Sequence, residues 1–150
     1  PATFLFTSGS SGTPKIVCHC FANHYYNALG AAKALKVECG SRWLLSLPLY
    51  HVSGIAILFR CFTHQATVVL SDLPLDTVIQ RHKITHLSLV PTQLIRLLKH
   101  PAETIDGIKE HLACMLLGGA TISSLLLKEA NECGLPVYTT YGMTEMSSMI

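Results

Sequence analysis

The sequence is short of charged residues. Aspartate, glutamate, lysine and arginine make up 13% of its 150 residues, about half the usual share for a soluble domain. Apolar residues make up 49%. Disordered chains combine low hydrophobicity with high charge, so this composition excludes intrinsic disorder. The length is that of one domain or part of a larger one. Because a small domain has proportionally more surface to cover, the composition predicts that further protein covers some faces.

Signals for a nucleic-acid or membrane partner are also lacking. Eleven basic residues face nine acidic ones, for a net charge of +2, and neither sign forms a block or a tail. Such a balance gives no electrostatic footprint for nucleic acid. Apolar runs such as 55–59 and 113–117 fall far short of the roughly 20 residues that span a bilayer. A small-molecule partner is therefore expected, and homo-oligomerisation stays open.

The sequence lacks a Cys-x-x-Cys pair. Its six cysteines are scattered at Cys18, Cys20, Cys39, Cys61, Cys114 and Cys133. The triplet 18–20 (Cys-His-Cys) offers metal-ligating atoms, but no second ligand pair follows at zinc-like spacing. The cysteines are therefore predicted to be buried, reduced thiols. A reducing, cytoplasmic location is expected.

Helices and strands are predicted to alternate along the chain. Short apolar runs predict strands at 3–6, 16–18, 43–47, 66–70, 87–90, 113–117 and 136–140. Periodic apolar positions predict helices at 21–36, 52–62, 76–82, 92–99 and 123–133, the third capped by Asp76. Continuous apolar strands between helices indicate an α/β fold with a mostly parallel sheet and helices on both faces. In such sheets, ligands bind beyond the carboxyl ends of the strands.

A loop rich in hydroxyl groups follows the first strand. Five hydroxyl residues, two glycines and a lysine are gathered in the run Thr7, Ser8, Gly9, Ser10, Ser11, Gly12, Thr13, Pro14 and Lys15. The glycines allow backbone angles at which successive N–H groups converge on an anion. The run differs from the P-loop of nucleoside triphosphatases, since proline precedes its lysine. Composition alone leaves a phosphate-binding loop and a flexible hairpin turn both open.

Three motifs together resemble a known superfamily. The run 7–15 is similar to the phosphate-binding signature of the adenylate-forming enzymes, which include acyl-CoA synthetases, luciferases and peptide-synthetase adenylation domains. Residues 118–120 (Gly-Gly-Ala) and 141–145 (Tyr-Gly-Met-Thr-Glu) resemble two further signatures, in the same order. The resemblance implies that residues 1–150 are part of the large AMP-binding domain, with the small C-terminal domain absent.

The resemblance also implies a reaction and its machinery. ATP would react with a carboxylic acid to give an acyl-adenylate and pyrophosphate, and coenzyme A would then take the acyl group. Magnesium would be bound by Glu145, and the α-phosphate by Thr144. The β- and γ-phosphates would be held by Thr7, Ser8, Gly9, Ser10, Ser11, Gly12, Thr13 and Lys15. The adenine and acyl group would be flanked by Gly118, Gly119, Ala120, Tyr141 and Gly142.

The residues of these motifs also have plainer interpretations. Taken alone, Glu145 is a solvated carboxylate, and Gly118 with Gly119 forms a tight turn. Thr140 stands where relatives commonly have glycine, which affects the shape of the adenine pocket. His51, after the strand at 43–47, resembles the position that lines the acyl site, where it would steer the acid or gate its access. A lone histidine beside apolar residues is otherwise a core or rim group.

Two further stretches resemble a narrower group. Residues 46–60 and 88–98 are most similar to the o-succinylbenzoate–CoA ligases of menaquinone biosynthesis. That acid has two carboxylates, and the one not activated must enter the pocket charged, which requires a cation or several donors. Arg60 lies in an otherwise apolar helix. The hypothesis is that Arg60, with Ser88 and His51, receives this carboxylate; alternatively, Arg60 extends to solvent.

The chain is expected to be an internal fragment. It begins within an apolar run at Pro1 and stops at Ile150 without a terminal signal. The superfamily's ribose-binding aspartate and its adenylating lysine are absent from residues 1–150, so this part alone is predicted to be inactive. Whether the parent chain retains those two residues stays open. A ligase for another acid is one alternative. A non-catalytic nucleotide-binding or scaffold module is the other.

Overall fold

A central parallel sheet organises the protein, which a computed structural model describes over residues 1–7 and 14–149. The helices are α1 (Phe21–Leu35), α2 (Val52–Thr63), α3 (Leu75–His82), α4 (Pro91–Leu97), α5 (Ala102–Lys109) and α6 (Ser124–Glu132). The strands are β1 (Thr3–Thr7), β2 (Lys15–His19), β3 (Arg42–Leu44), β4 (Thr67–Val69), β5 (His86–Leu89), β6 (Cys114–Leu117), β7 (Val137–Thr139), β8 (Gly142–Met143) and β9 (Ser148–Met149).

The sheet has five parallel strands in the order β4-β3-β5-β6-β7. The predicted α/β class with a mostly parallel sheet is confirmed. Two antiparallel hairpins stand apart from this sheet, one formed by β1 and β2 and the other by β8 and β9. A 3₁₀ turn, Thr144–Met146, joins the strands of the second hairpin.

Helices cover both faces of the sheet and divide the core in two. Leu87 and Leu89 point to the face covered by α3, α4, α5 and α6. His86 and Ser88, the alternate residues of the same strand, point to the face covered by α1 and α2, where Trp43 contacts both. This alternation follows from the two-residue period of a strand. Polar groups on β5 therefore lie under α1 and α2.

Several details of the predicted elements are wrong. Asp76 does not cap α3: Pro74 occupies the N-cap, and Asp76 lies in the first turn, where a carboxylate favours the helix dipole. Strand β3 ends at Leu44 because the Ser46 N–H donates to the Leu44 carbonyl at 2.9 Å and turns the chain out of the ladder. Helix α5 and the β8–β9 hairpin had no predicted counterpart.

The cysteines are less uniformly buried than predicted. Cys61 and Cys114 are buried, but Cys18, Cys20 and Cys39 are exposed, and all six are free thiols. Strand alternation explains Cys18, because β2 turns its neighbour His19 inward. Within residues 1–7 and 14–149, no group of three His, Cys, Asp or Glu side chains is placed to hold a metal ion. No helix in that part of the chain has the length and apolar character of a membrane span.

Candidate active site

The predicted motifs lie at the carboxyl ends of neighbouring strands. The Gly118 N–H donates to the Leu89 carbonyl at 3.2 Å, and the Thr140 N–H donates to the Leu117 carbonyl at 2.9 Å. These bonds join the loops that follow β5, β6 and β7. Ligands bind at this edge in open parallel sheets.

The turn after β6 fits tightly against the loop after β7. A Cβ atom on Gly118 would lie 2.6 Å from Thr140 Cγ2 and 3.2 Å from the Thr140 carbonyl oxygen. Gly119 has φ +79°, in the left-handed region that favours glycine. Ala120 is exposed beside it, and Tyr141 is 74% exposed. The structure thus brings the residues predicted to flank adenine to one surface, and Thr140 fills the space in front of Gly118.

The β8–β9 hairpin carries Thr144 and Glu145 at its tip. Gly142 pairs with Met149 in register, so closely that a Cβ atom on Gly142 would collide with the Ser148 carbonyl. Thr144 is half-buried and Glu145 is exposed. Among the described residues, the Glu145 carboxylate has no hydrogen bond or ion pair with a side chain. Within that part of the chain, no lysine, arginine or histidine side chain therefore neutralises the carboxylate.

The two ends of the predicted phosphate loop are held together by the β1–β2 hairpin. Thr7 is the last residue of β1 and pairs directly with Lys15, the first residue of β2. Lys15 is exposed. The predicted phosphate-binding residues between them lie outside the described part of the chain: Ser8, Gly9, Ser10, Ser11, Gly12 and Thr13.

Arg60 is buried, with 1% of its surface exposed. The alternative that it extends to solvent is therefore wrong. Its Cζ lies 5.5 Å from the Trp43 ring centroid, within range of a cation–π interaction. Its Nη2 donates to Ser148 Oγ at a long 3.4 Å. Its Nε is the buried side-chain polar atom that finds no hydrogen-bond partner within the described residues.

No anion balances Arg60 within the described residues. Burial lowers the pKa of Arg60 to about 10, so the guanidinium is still charged at neutral pH. Burial also raises the pKa of the neighbouring Cys61 thiol to about 11 and that of Cys114 to about 12. Both thiols are therefore uncharged. A buried cation without a counter-ion is costly and marks a place where an anionic ligand would be stabilised.

Ser88 lies on the same face of the sheet as Arg60, but His51 lies elsewhere. Ser88 is 3% exposed, and its Oγ accepts a hydrogen bond from Trp43 Nε1 at 3.2 Å. Trp43 therefore bridges Ser88 and Arg60. His51 occupies the N-cap of α2 and is exposed beside Tyr50. Nine helical residues span about 13 Å, so the structure does not bring His51 to Arg60.

Two histidines outside the predicted site residues contact the site. His19 and His24 are each 2% exposed and connect β2 and α1 to the turn that carries Thr144 and Glu145. Burial, together with the neighbouring His19, lowers the pKa of His24. The bonded partners are more than 120 residues apart in the chain, so no local pattern could have revealed them.

Gly54 fixes the loop that presents His51. A Cβ atom there would lie 2.7 Å from the Leu47 carbonyl oxygen and closer still to that of Pro48. We expect Gly54→Ala to lower the free energy of unfolding by about 1–3 kcal/mol, because helix α2 must move away from the loop. Thermal unfolding of the full-length protein measures this.

The matched control is Gly30→Ala in α1, where nothing lies within 4 Å of the new Cβ atom. That variant should be unchanged or more stable by up to about 1 kcal/mol. Equal stability of the two variants would contradict the packing described for Gly54.

The geometry agrees with comparison to known proteins. Residues 1–150 match a family described as AMP-binding enzyme. The chain belongs to the AMP-binding enzyme family. The family resemblance predicted from the three motifs is confirmed.

Individual members of the AMP-binding enzyme family resemble the whole chain. It is 43% identical over 152 residues to 2-succinylbenzoate–CoA ligase of Haemophilus influenzae, covering 100% of this chain and 32% of the relative. It is 41% identical over 153 residues to the ligase of that name from Bacillus subtilis, covering 99% of this chain and 31% of the relative. The chain thus spans about a third of the length of these curated relatives.

A solved structure of the family agrees with the fold. O-succinylbenzoate coenzyme A synthetase from Bacillus subtilis, in complex with ATP and magnesium ion, superimposes with a TM-score of 0.86 at 39% identity. The match covers 99% of this chain and 31% of that chain. The predicted similarity to the o-succinylbenzoate–CoA ligase group is confirmed.

Proposed function

We propose that this chain is the nucleotide- and acid-binding part of an ATP-dependent acid–CoA ligase, and that the acid is o-succinylbenzoate. The observation that carries the proposal is the buried guanidinium of Arg60, which no anion balances among the described residues, in a chain of the AMP-binding enzyme family. The relatives named above, which are 2-succinylbenzoate–CoA ligases, support the choice of acid. The full-length protein would supply the remaining groups, including the small C-terminal domain.

The first reaction joins the acid to ATP. A carboxylate oxygen attacks the α-phosphorus, an oxygen–phosphorus bond forms, and the bond to the pyrophosphate leaving group breaks. Negative charge grows on the phosphate oxygens, so positively polarised donors aimed there lower the barrier. Thr144 would donate its hydroxyl to the α-phosphate. Lys15 and the loop that Thr7 begins would hold the β- and γ-phosphates.

Glu145 fits the role of magnesium ligand. Its exposed carboxylate has no side-chain partner among the described residues, and Mg²⁺ is commonly held by one or two carboxylates together with substrate phosphates. When bound, magnesium would neutralise charge on the phosphate groups. The residues around Glu145 orient it: Gly142 lets β8 and β9 approach, and the turn between them presents the carboxylate to solvent.

Arg60 and Ser88 would receive the carboxylate that is not activated. The Arg60 Nε lacks an acceptor among the described residues, and a charge-assisted hydrogen bond to a carboxylate would satisfy it. Ser88 would contribute to carboxylate binding directly through its hydroxyl, and indirectly through the Trp43 ring that bridges it to Arg60. His51, exposed at the opposite end of α2, would line the access route of the acid. A cytoplasmic location is part of the proposal and is supported by the six free thiols.

ATP–pyrophosphate exchange by the full-length protein tests the proposal. The acids compared are o-succinylbenzoate, benzoate and a fatty acid. Exchange that depends on o-succinylbenzoate alone is the expected result. Exchange with a different acid would retain the reaction but overturn the role of Arg60. No exchange with any acid would favour a non-catalytic nucleotide-binding module.

A further inference from the structure

A continuous chain of hydrogen bonds runs through two buried histidines. His19 Nε2 lies 2.7 Å from the Thr144 carbonyl oxygen, and His19 Nδ1 lies 3.4 Å from Thr3 Oγ1. Thr3 Oγ1 lies 2.9 Å from His24 Nε2. His24 Nδ1 lies 2.6 Å from Ser147 Oγ. Each histidine nitrogen therefore has one partner.

The chemistry of the groups fixes the direction of this chain. A carbonyl only accepts, so His19 Nε2 donates to Thr144, and a neutral imidazole then accepts at Nδ1. The Thr3 hydroxyl donates its single proton there and accepts from His24 Nε2. The Ser147 hydroxyl then donates to His24 Nδ1. With one N–H on each ring, every donor and acceptor along the chain is satisfied.

The chain begins and ends on one turn. Its first donor is the Ser147 hydroxyl and its last acceptor is the Thr144 carbonyl, which also accepts from the Ser147 N–H at 3.0 Å. Ser147 has φ +61° and Ser148 has φ +122°, in the region that favours glycine. Non-glycine residues persist in this conformation where surrounding contacts hold them. The histidines supply such contacts at both ends of the turn.

We propose that His19 and His24 are positioning residues that hold the Thr144–Ser147 turn against the β1–β2 hairpin and so orient Thr144 and Glu145 toward the nucleotide. The inference rests on the proposed function, since orientation matters only if these two residues meet ATP. Thr3 and His19 are paired across β1 and β2, the strands that carry the phosphate loop. The histidines thereby join two nucleotide-binding segments that are distant in the sequence.

The decisive variants are His19→Leu and His19→Gln in the full-length protein. Leucine keeps much of the volume but has no donor for the Thr144 carbonyl, whereas the glutamine amide can still donate to it. A misplacement of 1 Å costs about a hundredfold in rate, so His19→Leu should lower kcat for exchange by about ten- to a hundredfold. His19→Gln should stay within about threefold of wild type, with KM for the acid unchanged in both.

His86→Leu is the matched control. His86 is equally buried, with Nε2 2.9 Å from the Leu35 carbonyl oxygen and Nδ1 2.8 Å from Thr85 Oγ1, but it does not contact the turn. Its loss should lower the unfolding temperature as the loss of His19 does, and leave kcat within about twofold by the same argument. An equal loss of kcat in His86→Leu and His19→Leu would overturn the positioning role.

Hydrogen–deuterium exchange separates this inference from the proposed function. The peptide at 141–149 should exchange faster in His19→Leu than in wild type, His19→Gln or His86→Leu. This comparison decides the structural claim even if the wild-type protein activates no acid. Ser147→Ala, which removes only the first donor of the chain, replaces His19→Leu if that variant does not fold. Unchanged hydrogen–deuterium exchange at 141–149 in both His19→Leu and Ser147→Ala would refute the inference.

Discussion

Arg60→Met should raise KM for the acid by about a hundredfold, since truncating one partner of a buried, hydrogen-bonded charge pair costs about 2–5 kcal/mol. The guanidinium is buried, charged and without an anion among the described residues. The carboxylate of the bound acid would supply that anion. Methionine fills a similar volume but offers no donor, so the carboxylate would be buried without a partner.

The same substitution should not destabilise the free protein. Replacing a buried charge by an apolar side chain of similar volume is often neutral or stabilising. The thermal unfolding temperature of Arg60→Met should therefore equal or exceed that of wild type, while KM for the acid rises. This opposite movement of stability and affinity distinguishes a binding residue from a structural one.

Two controls accompany Arg60→Met. Arg60→Lys keeps a charge without the planar fork, so KM should lie between those of wild type and Arg60→Met. Arg96→Met removes an exposed arginine from α4 and should leave KM unchanged. KM for ATP should be unaffected throughout. Full affinity for the acid in Arg60→Met would exclude Arg60 from the acid site.

Glu145→Gln should lower kcat for ATP–pyrophosphate exchange by about a hundred- to a thousandfold, comparable to the loss of one electrostatic group at a transition state. Glutamine keeps the size and one oxygen but loses the charge that favours magnesium. The side chain is exposed and has no side-chain partner among the described residues, so thermal stability should not change. The magnesium concentration for half-maximal exchange should rise as well.

Glu129→Gln is the matched control for Glu145. Glu129 is an exposed glutamate on α6, away from the motifs. Exchange kinetics and magnesium dependence should both equal those of wild type. If Glu145→Gln and Glu129→Gln behave alike, the magnesium role assigned to Glu145 is wrong.

The sequence predicted what depends on local periodicity. The apolar run around Leu87 identified a strand buried on both faces, because side chains of a parallel strand meet helices on either side. Helix α5 escaped prediction because only Ile105 and Ile108 mark its buried side. Two isoleucines three residues apart form a weak periodic signal in a segment that also contains charged residues.

Contacts between distant residues were beyond local patterns. Arg60 was predicted either to bind an acid or to extend to solvent, and the choice depends on where Trp43 and Ser148 lie in space. His51 is the N-cap of the helix that contains Arg60, and their separation follows from the length of that helix only once both of its ends are known. Periodicity carries no information on which strand or turn a buried histidine meets.

The hydrogen bond from His19 to Thr144 also has a consequence for the order in which contacts form during folding. It closes a loop of 125 residues, and the loop-closure entropy of so distant a contact must be offset before the contact stabilises the protein. Along the chain, every strand of the parallel sheet lies between His19 in β2 and the turn that carries Thr144. We therefore expect the β1–β2 hairpin and the Thr144–Ser147 turn to be joined in a late step, on a sheet that is already assembled.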